Sequence, residues 1–178
     1  TDLNNVTEIN GIPAADNENC ENIFLTICEK INCPVDNSDI VQIRRLPAPS
    51  PSTTKKPEPH KKSQPQTILV TMKNSSIRQK ILDSRKATPT ISLKDIGFGT
   101  PDGTFFMNER LTVYNRHLFW LARQAKNSLQ YKYCWVKHGT VYLRKMDKGP
   151  VIKITKEADI PTKESTKGDN RSPRGPPD

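Results

Sequence analysis

Residues Tyr131–Lys145 (YKYCWVKHGTVYLRK) bring aromatic and cationic side chains together at a two-residue spacing on both sides of His138-Gly139. A run alternating at period two is a strand with two distinct faces, and Gly at the second central position suits the positive φ of a hairpin turn. Folded across that turn, Val136 faces Val141 and Cys134 faces Leu143, which gives one apolar face. On the other face Trp135 meets Tyr142, Tyr133 meets Arg144 and Lys137 meets Thr140, with Tyr131 at the open end. Rings interleaved with cations suit unpaired nucleotides, because bases stack on the rings while phosphates meet the charges. The competing reading buries both faces and makes the aromatics core.

Cations elsewhere extend this chemistry. Arg110, Arg116, Arg123, Lys126, Lys132, Lys137, Arg144 and Lys145 are the candidate phosphate contacts, each weighed against an ordinary surface cation. Tyr133, Trp135 and Tyr142 are the candidate stacking residues. In the first half no such aromatics interleave, so binding there would be by charge alone: Arg44, Arg45, Lys55, Lys56, Lys61, Lys62, Arg78, Lys80, Arg85 and Lys86.

The 178-residue chain has a net charge of +9, unevenly spread. Residues 1–40 carry eight acids and one base, and residues 41–160 carry 23 bases and eight acids. A basic stretch of that size is the footprint of a polyanion partner, with a merely solvated surface as the bland alternative.

Enzymatic chemistry finds little support. His60, His117 and His138 have no neighbouring Cys or acid in a nucleophile–base spacing, and Gly97-Phe98-Gly99 lacks the Lys and Ser/Thr of a phosphate loop. Cys20, Cys28, Cys33 and Cys134 match no zinc spacing and read as buried free thiols of a reducing compartment. No catalytic residue, cofactor or metal is expected. No apolar run approaches ~18 residues, so no membrane span is expected, and the chain reads as intracellular, in cytoplasm or nucleus. Its first residue, Thr1, suggests a fragment with a segment missing before it.

Strands are expected at 4–11, 39–46 and 66–73, with a fourth strand or linker at 91–98. Helices are expected after a cap at Asp16 or Asn17, from Asn74 or Ser75 to about Arg85, and from Thr112 to about Leu129, with Leu118, Leu121, Ala122, Ala125 and Leu129 inward. The order β-α-β-β-α-β is the split βαβ, ferredoxin-like arrangement shared by RNA-recognition motifs. The expected class is therefore α+β: a module over 1–98 with a flexible Pro/Lys-rich loop at 47–65, then a small α/β domain over 99–160 and a disordered tail over 161–178. That second domain reads as a strand at 104–110, a long helix, the hairpin and a strand at 151–154.

Val6–Pro13 (VTEINGIP), Ser38–Leu46 (SDIVQIRRL), Asn108–Lys126 (NERLTVYNRHLFWLARQAK), Tyr131–Lys145 and Pro150–Ile154 (PVIKI) together resemble a known family. The chain is similar to the baculovirus FP protein and the FP-like proteins of insect genomes, and more distantly to the first-open-reading-frame proteins of LINE-type retrotransposons. The resemblance implies a non-catalytic protein that coats single-stranded RNA or DNA and acts as a nucleic-acid chaperone. It also implies self-association through an N-terminal coiled coil, which this sequence lacks. The rival expectation is a protein-interaction or structural module using the same aromatic and basic face.

Overall fold

The computed structural model describes residues 3–47, 65–99 and 103–163. Lys55, Lys56, His60, Lys61 and Lys62, most of the expected loop and the tail beyond Lys163 lie outside the described residues. Contacts divide the chain into two units, with the division after Arg110.

The first unit comprises β1 (Val6–Asn10), α1 (Cys20–Lys30), β2 (Ile40–Arg45), β3 (Ile68–Met72), α2 (Ser75–Ala87) and β4 (Phe106–Glu109). Its sheet runs β2-β3-β1-β4 with every neighbouring pair antiparallel. The class is α+β, in the β-α-β-β-α-β order. Register puts Ile9 opposite Ile68 and Met107, and Val70 opposite Ile43, so one face is apolar. Phe24, Ile27 and Cys28 of α1 and Ile81 and Leu82 of α2 close over it. Each such aliphatic or aromatic side chain contributes about 1.5–3 kcal/mol by leaving water.

Helix starts follow local chemistry. The Asn19 side chain accepts the Asn22 amide at 3.0 Å, and the Asn74 side chain accepts the Ile77 amide at 2.9 Å. The expected cap at Asp16 or Asn17 is displaced to Asn19, because Asn17 takes φ 62°, a left-handed conformation that cannot open a right-handed helix.

Of the two expectations for 91–98, a fourth strand or a linker, the strand does not form. That segment forms a short 3-10 turn, Lys94–Ile96, and the fourth strand is Phe106–Glu109. Asp95 accepts from both the amide and the hydroxyl of Ser92, and Gly97 ends the turn at φ 94°. Leu93 and Ile96 then share one side and plug the core. Residues 104–110, expected to open the second domain, therefore belong to the first sheet. Gly11 admits this strand: a Cβ there would sit 2.8 Å from the Thr104 carbonyl oxygen.

The second unit holds α3 (Val113–Leu129), β5 (Tyr133–Lys137), β6 (Thr140–Arg144) and β7 (Val151–Ile154), with sheet order β5-β6-β7. Leu118 and Ala122 of α3 bury against Val141, Leu143 and Ile154, while Phe119 and Leu129 pack at the margin. The core stripe thus takes in Phe119, while Leu121 and Ala125 stay outside the cluster. The Thr112 hydroxyl caps α3 by accepting the Asn115 amide at 3.1 Å. Thr112→Ala is expected to lower stability by about 1 kcal/mol, read by denaturant unfolding followed at far-UV wavelengths.

Candidate nucleic-acid interface

The hairpin register agrees with the sequence reading at every pair: Tyr133–Arg144, Cys134–Leu143, Trp135–Tyr142, Val136–Val141 and Lys137–Thr140. His138 at φ 49° and Gly139 at φ 75° make the two-residue turn, which needs positive φ at both central positions. The Asn115 side-chain amide fastens this turn to the first part of α3 by donating to the Gly139 carbonyl at 3.1 Å.

Pleating then sorts the side chains. Cys134, Val136, Val141, Leu143 and Ile152 face the α3 side. Tyr133, Trp135, Lys137, Tyr142 and Arg144 fall on the opposite face, joined from β7 by Lys153 opposite Tyr142 and Val151 opposite Arg144. The Trp135 and Tyr142 rings stack on each other with centroids 5.5 Å apart and planes 21° apart. The Arg144 guanidinium lies 6.0 Å from the centroid of the Tyr133 ring. Its Nε is buried and finds no hydrogen-bond partner.

Charge in this unit is lopsided. Residues 111–163 hold eleven Lys and Arg against three acids, a net of +8. Each acid is already engaged. Glu157 lies 3.0 Å from His117 Nε2, and Asp159 accepts from the Thr155 and Lys156 amides. Asp147 takes Lys132 at 2.5 Å and the Tyr133 hydroxyl. The Lys132 ammonium first, then the Tyr133 hydroxyl, hold the Asp147 carboxyl below the usual carboxylate range, and Asp147 raises Lys132 in return. The Lys132 ammonium is thus already paired with an internal anion. Lys137 and Lys145 are exposed.

Other expected contacts lie apart from this face. Arg116 and Arg123 are exposed on α3, where Arg123 sits 4.5 Å from the Phe119 ring centroid, and Lys126 is half-buried. Trp120, 52% exposed, stacks with His117 on the same helix. Tyr131 is buried in the core and does not extend the open face.

In the first unit several cations prove to be structural. Arg45 donates to Glu18 at 2.6 and 2.8 Å and to the carbonyls of Ile12, Pro13 and Gln66, which ties the β2 edge to the segment before α1. That guanidinium holds the Glu18 carboxyl below its ordinary range. Arg78 is buried against Glu109. Arg85 donates to the carbonyls of Thr88, Ile91 and Phe105, and lies over the Phe105 ring. None of the three offers a guanidinium to a phosphate: Arg45 and Arg85 spend their donors on carbonyls inside the fold, and Arg78 is 1% exposed. Arg110 pairs with Glu8 at 2.6 Å, while Arg44 stays exposed.

Two surface depressions of this unit are lined by Glu18 and Glu21 in one case and Glu29 and Asp36 in the other, which disfavours a polyanion there. Sequence reasoning missed Lys153, whose place beside Tyr142 depends on the β6–β7 register, and Asp147, which carries no motif. Phe106, 58% exposed on β4, also escapes the sequence reading, which places its segment in the other domain.

Residues 112–162 match the family model described as Baculovirus FP protein domain 2. The matched stretch runs from the cap of α3 to beyond β7 and so contains the whole aromatic and basic face. A search of curated proteins finds no match.

Proposed function

Because residues 112–162 match the model of Baculovirus FP protein domain 2, we propose that this chain binds single-stranded nucleic acid, RNA or DNA, on the open face of its β5-β6-β7 sheet. The observation that carries this reading is the sorting of side chains by register. Every aromatic and cation of the hairpin strands falls on the face away from α3, and of the three acids of the unit only Asp147 reaches it, where it is paired with Lys132. Phosphate attraction gathers the strand on Lys137, Arg144, Lys145 and Lys153. Bases stack against the outer surfaces of the Trp135–Tyr142 pair and against Tyr133. No side chain on this face is arranged to read a base edge, so the binding has little sequence preference, as suits a coating or chaperone-like role in an FP-like or retrotransposon-related protein. The protein acts by binding and not by catalysis: His117 is engaged with Glu157 at the surface, and His138 serves the hairpin turn.

Fluorescence anisotropy of a labelled single strand over a range of salt tests this. Engagement of about four phosphates gives a log–log salt slope of roughly −3. A slope near zero would sink the reading. It would favour the alternative, a protein-interaction surface on α3, where Tyr114 (51% exposed), Trp120 and Val113 are uncovered.

A further inference from the structure

Resting on the nucleic-acid reading above, we propose that Asp147 is a built-in competitor for phosphate. It sets both the affinity of the sheet face and how many nucleotides that face accepts. The residue stands on the turn between β6 and β7, where the Gly149 amide donates to the Met146 carbonyl at 3.1 Å and Lys148 takes φ 60°. This turn carries the carboxylate to one end of the open face, and its two oxygens take different partners. Oδ2 accepts from Lys132 Nζ at 2.5 Å, and Oδ1 accepts from the Tyr133 hydroxyl. Lys132 Nζ in turn lies 5.3 Å from the Tyr133 ring centroid. One ammonium and one phenol hydroxyl are therefore already held by an internal anion, and that ammonium lies beside the Tyr133 ring.

A carboxylate seated on an ammonium occupies the place a phosphate oxygen would take. The rest of the face differs: β5, β6 and β7 contain no acidic residue, so Trp135, Tyr142, Lys137 and Lys153 have no competing carboxylate from their own strands. A bound strand lands first at the Trp135–Tyr142 position. It reaches the Tyr133–Lys132 position only by displacing Asp147. Lys132 and Asp147 are both well exposed, so the exchange needs no movement of the core.

Asp147→Asn keeps the side chain's shape and leaves an amide oxygen for the Tyr133 hydroxyl, while removing the charge. For a ~20-nucleotide strand the variant is expected to bind about tenfold tighter, with a salt slope steeper by about 0.7, as one more lysine meets phosphate. A strand of two or three nucleotides, held at the Trp135–Tyr142 end, should gain less than about twofold, since it never reaches Lys132. Adding Lys132→Ala to Asp147→Asn should return the long-strand affinity to near the starting value. Unchanged or weaker binding by Asp147→Asn would overturn the proposal and make the carboxylate a positioning group for Tyr133. An equal gain on short and long strands would overturn it too, because only bulk charge would then be at work. If the unaltered protein binds and Trp135→Ala/Arg144→Ala weakens it, yet Asp147→Asn gains nothing, this inference alone fails. If the unaltered protein does not bind at low salt, both readings fail.

Discussion

Trp135→Ala combined with Arg144→Ala is expected to lower affinity for a ~20-nucleotide single strand by about a hundredfold at moderate salt. Stacking on an aromatic ring contributes roughly 1–3 kcal/mol per base, and losing a phosphate contact adds to that. Each ~1.4 kcal/mol is tenfold in affinity, so a combined loss of about 3 kcal/mol gives the stated factor. The pair is chosen because Trp135 and Arg144 sit at different cross-strand positions of one face, and neither belongs to the buried cluster on the α3 side. Trp135 also stacks on Tyr142, so the variant loses about 1 kcal/mol of folding stability. Binding should be measured well below its melting temperature, with thermal unfolding recorded alongside. Equal binding by variant and parent would move the site off this sheet, to Arg116 and Arg123 of α3 or to Arg44 of the first unit.

Arg78→Ala should have the largest effect on folding, a loss of about 3–5 kcal/mol. Arg78 is 1% exposed and Glu109 8%, and their ion pair spans 2.5 Å between α2 and β4. Truncating the arginine takes the buried cation away from a largely buried carboxylate, and losing that attraction while the desolvation remains is the cost. At about 4–8 °C per kcal/mol for a unit near a hundred residues, the melting temperature of the first unit should fall by at least about 12 °C. Replacing both partners, as Arg78→Met with Glu109→Gln, removes both buried charges and should recover most of the loss. If the single variant melts within a degree or two of the parent, the pair contributes nothing and Glu109 finds its compensation elsewhere. The two effects are separable: Arg78 lies in the first unit, and the stacking face in the second.

How far the sequence reached depended on how local each feature is. The hairpin was legible to the residue because three neighbouring signals agree. A two-residue loop fixes the register, period-two alternation names the faces, and His138-Gly139 supplies the positive φ. The starts of α2 and α3 were legible for the same reason, since Asn74 and Thr112 reach amides only three residues away. The family match over 112–162 falls on this locally encoded part.

What stayed hidden was decided by partners far along the chain. Two short apolar runs, at 91–98 and 104–110, could each have been the fourth strand. Pairing with β1 selected the second, a hundred residues from its partner, while Ser92, Asp95 and Gly97 coiled the first into a turn. Cations were the other blind spot. Arg45, Arg78 and Arg85 look no different in the sequence from Arg44 or Lys137, because a guanidinium's role is set by what lies within about 3 Å of it. Glu18 is 27 residues from Arg45, and Glu109 is 31 from Arg78. Asp147, fifteen residues from Lys132, escaped notice in the same way. Type and spacing thus determined the presence of a basic, aromatic sheet face. Only tertiary structure could tell which of the chain's cations are spent inside the fold, because Coulomb attraction and hydrogen bonding act through space and not along the chain.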